Sequence, residues 1–140
     1  MAERVLGSRL KRDGIHEVEV SSAGLWDMRG APADMTTRQI LQENGIEDEG
    51  HHSQVVNEVM IREADLIVTM EKEQLQIIGD QYPLAMDKLR VLKSYLPEPD
   101  YGKILGDIGD IKDPYAHSIF HYRLCFAEIS LAMEELMKCI

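Results

Sequence analysis

The chain has 140 residues, the usual size of one domain, and 44% of them are hydrophobic, which is enough to build one core. With 25 acidic residues against 15 basic ones, the formal net charge is -10. Because this charge repels a polyanion, we expect no nucleic-acid partner.

The sequence also predicts no membrane partner. No apolar run approaches the roughly 18 residues of a membrane span, and the first residues lack a signal-peptide core. Cys125 and Cys139 fit no zinc spacing, and as free thiols they suit a reducing cytosol. We therefore expect a cytoplasmic protein with no metal and no cofactor.

The first half of the chain alternates between helix and strand signals. Helical spacing of apolar residues predicts a helix over 2–12. Residues 16–22, HEVEVSS, alternate as in a half-buried strand, with both valines on one face. Asp34 is placed to cap a helix that Gly45 ends.

The same alternation continues in the second half. Asn57 is placed to cap a short helix, and residues 64–70, ADLIVTM, indicate a strand buried on both faces. A helix ending at Gly79 and a short strand over 89–92 follow, and residues 97–114 indicate a long loop.

The last helix is predicted from an apolar stripe, which is typical of a helix packed on a core. Its members recur every three or four residues and are Ile119, Tyr122, Phe126, Ile129, Met133, Leu136 and Ile140.

Helices alternating with apolar strands predict an α/β fold with a doubly wound parallel sheet, in three layers. Sites in such folds lie at the carboxyl ends of the strands. Three segments converge there: residues 21–24, Met70 with Glu71, and the end of the long loop. In that loop Pro114 holds Asp113 outside the helical region. Such an Asp suits a general acid, although spacing alone favours a turn that caps the last helix.

Metal and nucleotide motifs do not occur in the sequence. The five histidines show no H-E-x-x-H spacing. His117 and His121 stand four residues apart on a helix, but without a third ligand we interpret them as surface residues.

Several short motifs, in order over the whole chain, resemble the low-molecular-weight protein tyrosine phosphatase family. In that family a loop C-x5-R-S-P is followed directly by M-A-E. The matching motifs are Met1-Ala2-Glu3, V-E-V-S-S-A-G at 18–24, G-A-P-A-D at 30–34, E-N-G-I at 43–46, G-H-H-S-Q at 50–54, A-D-L-I-V-T-M at 64–70, Val91-Leu92 and D-P-Y at 113–115.

The resemblance implies a role for each matching residue. Asp113 would be the general acid, which then acts as base on the attacking water. Tyr115 and Trp26 would line the substrate cleft. Ser22 and His51 would hydrogen-bond the phosphate-binding loop and hold its shape. The substrate would be a phosphorylated protein, and residues 1–140 would form one domain.

The departures from the family are equally specific. The nucleophilic cysteine and the phosphate-binding arginine of C-x5-R do not occur, and Cys125 and Cys139 fall in the last helix, away from any phosphate loop. The family commonly has a second aromatic residue after D-P-Y, and this chain has Ala116 there. The family also has an arginine three residues after the histidine, and this chain has Gln54 there. We therefore expect an N-terminally truncated chain that is inactive as given.

The truncation would remove the first strand, which is central in the sheet of this fold. Residues 16–22 and 64–69 would then lose their shared neighbour. The missing strand would leave a gap in the sheet. We expect the chain to close this gap, to fill it by swapping elements between the subunits of an oligomer, or to be less stable than its relatives.

Other functions on the same fold are also compatible with parts of the sequence. A protein arginine phosphatase fits the G-H-H-S and D-P-Y segments equally well, and a non-catalytic binding or regulatory module fits the lost loop. Arsenate reduction ranks last, because it needs further cysteines and residues 70–110 contain none.

Overall fold

The computed structural model of the chain describes residues 1–48, 50–97 and 109–140. In these residues it forms five α-helices, two β-strands and two 3-10 helices. Their bounds are α1 Ala2–Arg12, α2 Met35–Glu43, α3 Glu58–Glu63, β1 Ile67–Thr69, α4 Lys72–Gln81, a 3-10 helix Pro83–Lys88, β2 Leu89–Val91, a second 3-10 helix Leu92–Tyr95, and α5 Ile119–Met137.

The chain divides into two compact units. The first comprises Met1–Val56 with Pro114–Ser130, and the second comprises Asn57–Asp113 with Leu131–Ile140. The prediction of one domain stays a prediction. None of the helices described is both long enough and apolar enough to cross a membrane.

The first unit is built on α1 and α2, which begin and end where the sequence predicts. The Asp34 side chain accepts hydrogen bonds from the backbone N–H groups of Thr36 and Thr37, which caps α2. Gly45 ends α2 with a φ of 68°, a left-handed conformation that favours glycine. The buried apolar side chains of this unit are Val5, Leu6, Leu10, Ile40, Leu41, Tyr122, Cys125 and Ile129.

The predicted strand over 16–22 is wrong. These residues form no strand, although Val18 and Val20 are half-buried and Glu17 and Glu19 are exposed, as the alternation predicts. A strand exists only when a neighbour pairs with its backbone, and no described segment does so here. The nearest pairing is a single parallel bridge between Gly24 and Val55.

The second unit contains a two-stranded parallel sheet. Residues Ile67, Val68 and Thr69 of β1 pair with Leu89, Arg90 and Val91 of β2. Both strands are shorter than predicted, and Ile67 and Val68 are half-buried rather than buried on both faces. The Asn57 side chain caps α3 by accepting from the Met60 N–H, as predicted.

The stripe of α5 is largely confirmed. Tyr122, Ile129, Met133 and Leu136 are buried, Phe126 is half-buried, and Ile119 and Ile140 at the two ends are exposed. The predicted loop over 97–114 lies mostly outside the described residues. Its described part, Pro97 and residues 109–114, contains no helix or strand.

Candidate active site

In the first unit, the loop that begins at Ser22 is held against residues 51–56. The Gly24 N–H donates to the Gln54 carbonyl at 2.8 Å, and the Val56 N–H donates to the Gly24 carbonyl at 2.9 Å. The Gln54 side-chain Nε2 also donates to the Ser22 carbonyl at 2.8 Å. Gln54 therefore fixes the backbone that carries Ser22.

Ser22 and His51, the two predicted supporting residues, meet at one carboxylate. Ser22 Oγ donates to Glu3 Oε2 at 2.5 Å. His51 Nδ1 lies 3.7 Å from Glu3 Oε1, an ion-pair distance when the imidazole is protonated. Since Glu3 lies in the first turn of α1, its negative charge is favourable beside the helix N-terminus.

A second carboxylate, that of Asp48, lies between two arginines of the same unit. Arg4 Nε is 3.7 Å from Asp48 Oδ1, and Arg38 Nε is 3.6 Å from Asp48 Oδ2. Arg4 Nε also lies 3.8 Å from Glu3 Oε1, so the two carboxylates share this guanidinium. The charges near the start of α1 thus form one network rather than isolated pairs.

The predicted substrate-cleft residues are the most exposed aromatics of the described chain. Trp26 is 76% exposed and Tyr115 is 68% exposed. Tyr115 lies in a turn closed by a 2.9 Å hydrogen bond from the His117 N–H to the Pro114 carbonyl. Ala116 in this turn has a φ of 62°, which is unusual for a residue with a side chain.

Asp113 belongs to the second unit, where the preceding residues anchor its segment to the carboxyl end of β1. Asp110 Oδ1 accepts from the backbone N–H of Lys72 at 2.8 Å. The N–H of Ile111 donates to the Met70 carbonyl at 2.9 Å, and the Ile111 side chain is buried. This end of the strand is where sites of parallel α/β proteins lie.

The residues after β1 change the pKa of the Glu71 carboxyl group. Burial raises its pKa above the ordinary value of 4.5, and the negative charges of Asp110, Asp113 and Glu73 raise the pKa further. Three carboxyl groups, those of Glu71, Asp110 and Asp113, are therefore electrostatically coupled after β1.

Sequence reasoning missed Glu3 in the first unit and Asp110 in the second, whereas Glu71 was among the residues expected at the carboxyl end of a strand. Glu3 stands inside the M-A-E motif, so a signal for it existed, but its contacts to residues 19 and 48 positions away cannot be seen in the sequence. The roles predicted for Asp113, Tyr115, Trp26, Ser22 and His51 stay predictions.

The two cysteines are the thiols that could act as nucleophile or metal ligand. The sequence contains no C-x5-R, and its two cysteines are free, with Cys125 buried on α5 and Cys139 exposed beyond it. Within the described residues no three His, Cys, Asp or Glu side chains are grouped to hold a metal ion.

Fold and residue arrangement together define an α/β protein of the low-molecular-weight phosphatase type, with an acid-bearing segment at the carboxyl end of a parallel strand. Comparison with known proteins agrees. Residues 1–140 match the model of the family described as low molecular weight phosphotyrosine protein phosphatase, and the chain belongs to that family.

Similar proteins include both tyrosine and arginine phosphatases. A protein-arginine-phosphatase of Bacillus subtilis (strain 168) is 30% identical over 138 residues, 99% of this chain and 85% of the relative. The low molecular weight protein-tyrosine-phosphatase Etp of Escherichia coli (strain K12) is 27% identical over 133 residues, 95% of this chain and 83% of the relative.

Solved structures give the same result for the fold. A low molecular weight protein tyrosine phosphatase from T. tengcongensis has a TM-score of 0.85 at 26% identity, covering 99% of this chain and 88% of that one. The YwlE arginine phosphatase from Geobacillus stearothermophilus has a TM-score of 0.79 at 27% identity, covering 98% and 80%.

Proposed function

We propose that Asp113 is the general acid and base of protein tyrosine phosphatase chemistry. The observation that carries this proposal is the anchoring of its segment after β1 by Asp110 and Ile111. General acid catalysis by a positioned carboxyl group typically contributes about 10²–10⁴-fold to the rate.

The reaction has two steps. The thiolate of the family's C-x5-R cysteine attacks phosphorus, a P–S bond forms, and the P–O bond to the leaving group breaks while Asp113 gives that oxygen its proton. Water then attacks the phosphocysteine, Asp113 takes a proton from the water, and the P–S bond breaks to release inorganic phosphate.

The remaining predicted residues have supporting roles in this proposal. Glu3 orients Ser22 and His51, which would hydrogen-bond the phosphate-binding loop of the family. The exposed rings of Trp26 and Tyr115 form the walls against which a phosphorylated side chain packs.

We also propose that the 140 residues given do not turn over substrate by themselves. They contain neither the C-x5-R cysteine nor its arginine. The buried thiol of Cys125 has no access to a phosphorylated protein.

Dephosphorylation of phosphoarginine is the second candidate. It is favoured by one observation, the 30% identity to protein-arginine-phosphatases of Bacillus subtilis and Geobacillus stearothermophilus.

The test compares two proteins. One is the chain as given, and the other, called the extended chain, carries before Met1 a designed apolar strand followed by the loop C-x5-R-S-P. We expect p-nitrophenyl phosphate turnover at mildly acidic pH from the extended chain alone. Turnover by the purified 140-residue chain contradicts the proposal that this chain is inactive. An extended chain that is folded but inert contradicts the phosphatase assignment.

A phosphotyrosine peptide and a protein phosphorylated on arginine, assayed in parallel with the extended chain, distinguish the two candidate substrates.

The proposed partners follow from the same chemistry. The partner is a phosphorylated protein, and the net charge of -10 and the free thiols support a cytoplasmic protein that binds neither nucleic acid nor membrane. Oligomerisation through the segment 16–22 is supported by residues 17–21, which make no backbone–backbone hydrogen bond within the described chain.

A further inference from the structure

We propose that Asp110 is a positioning residue, which holds the segment bearing Asp113 against the start of α4. This inference rests on the proposed function, because it concerns the placement of the proposed general acid.

The first support is the bond that Asp110 makes with α4. Its Oδ1 accepts from the N–H of Lys72, the first residue of that helix, at 2.8 Å. The first N–H groups of a helix have no partner inside the helix, and a negative charge is stabilised beside them. A carboxylate is therefore well suited to this position.

Two further contacts fix the backbone beside Asp110. Lys93 Nζ donates to the Asp110 carbonyl at 3.2 Å. The Ile111 N–H donates to the Met70 carbonyl at 2.9 Å, and the Ile111 side chain is only 1% exposed. The backbone and the side chain are thus held at both Asp110 and Ile111.

The consequence for Asp113 follows from distance along the chain. Asp113 is three residues from Asp110, and three extended residues span at most about 11 Å. Pro114 restricts Asp113 further, to extended backbone conformations. An anchor at Asp110 therefore confines the carboxyl group of Asp113 to the region after β1, where its charge acts on Glu71.

The experiment uses three variants of the 140-residue chain. Asp110→Ala removes the acceptor, Asp110→Asn keeps an oxygen acceptor without the charge, and Asp87→Ala is a control at an exposed aspartate of the same unit. Amide hydrogen exchange of Lys72 and Ile111 is measured by NMR, together with the carbon chemical shift of the Asp113 carboxyl group. Unchanged exchange of the Tyr82 amide, which donates to Ile78 at the far end of α4, reports that the second unit of each variant is folded.

We expect exchange at both amides to rise at least about tenfold in Asp110→Ala, the effect of losing one hydrogen bond to a charged group. The Asp113 carboxyl resonance should shift in the same variant. Asp110→Asn should retain most of the protection, and Asp87→Ala all of it. Unchanged exchange in Asp110→Ala, or an Asn variant that behaves like the Ala variant, overturns the inference.

The same substitutions in the extended chain separate this inference from the proposed function. We expect Asp110→Ala to lower kcat about tenfold with little change in KM, and Asp110→Asn to restore most of it. Loss of protection without loss of kcat overturns the positioning role. An extended chain without any turnover contradicts the proposed function, while the exchange data still decide whether Asp110 holds the segment.

Discussion

Glu3 offers one carboxylate oxygen to each of two side chains, since Oε2 accepts from Ser22 and Oε1 faces His51. Arg4 lies beside the same carboxylate. Removing Glu3 therefore leaves the half-buried Ser22 hydroxyl without its acceptor and takes away the carboxylate that faces the His51 ring.

Glu3→Ala should lower the free energy of unfolding by about 1.5–3 kcal/mol, the range for a hydrogen bond to a charged group. Urea unfolding at neutral pH measures the loss. Glu19→Ala, at an exposed glutamate with no described side-chain hydrogen bond, is the control. Equal unfolding midpoints for the two variants would show that the Glu3 contacts contribute nothing to stability.

Glu71 predicts a pH dependence of stability. Burial, and then the charges of Asp110, Asp113 and Glu73, raise its pKa in the folded chain above 4.5. As the pH rises through 4.5 the unfolded chain loses this proton first, so the folded chain loses stability until the pH passes the raised pKa.

Glu71→Gln removes this proton equilibrium, because the glutamine side chain stays neutral. Its stability relative to the unchanged chain should rise with pH through that window and then stay constant up to pH 7. Urea unfolding midpoints of both chains, measured between about pH 4 and 7, test it. A difference that does not vary with pH counts against the coupling of these carboxyl groups.

At the scale of elements, local signals predicted the helices and missed the strand pairing. Asp34, Asn57 and Gly45 act where the sequence placed them, because a cap depends on a few neighbouring residues. Residues 16–22 carry the alternation of a strand but form none, since pairing requires a distant segment. For the same reason Ser22 and His51 could be named from a resemblance, whereas Glu3, which joins them, could not.

The cap at Asp34 gives a prediction for α2. Asp34→Ala should cost about 1 kcal/mol, since the N–H groups of Thr36 and Thr37 lose their acceptor, and Asp34→Asn should cost less. Urea unfolding of both variants against the unchanged chain measures the difference. An Asn variant as unstable as the Ala variant would show that the cap depends on the charge instead of the acceptor.

At the scale of the whole molecule, residues 17–21 make no backbone–backbone hydrogen bond within the described chain. Their side chains nevertheless retain the burial pattern of a strand, with Val18 and Val20 turned inward. This backbone therefore offers unpaired N–H and C=O groups to which an added strand could bond.

The extended chain should therefore be more stable than the chain as given. A gain of about 2 kcal/mol from new strand pairing raises the thermal midpoint by roughly 4–8 °C, measured by circular dichroism. A control extension with prolines in its strand, which remove the donors of the ladder, should give no gain. Equal midpoints for all three proteins would contradict pairing at residues 17–21.

The most direct test of the central claim, that Asp113 protonates the leaving group, is the kcat/KM of the extended chain and its Asp113→Asn variant on two aryl phosphates. The ratio kcat/KM reports the first step, in which the leaving group departs, and not the hydrolysis of the phosphocysteine that both substrates share. Phenyl phosphate has a poorer leaving group than p-nitrophenyl phosphate and needs the proton more. We predict that Asp113→Asn lowers kcat/KM about 10²–10⁴-fold on phenyl phosphate and clearly less on p-nitrophenyl phosphate. Equal losses on both substrates, or no loss, would contradict the role of Asp113 as general acid.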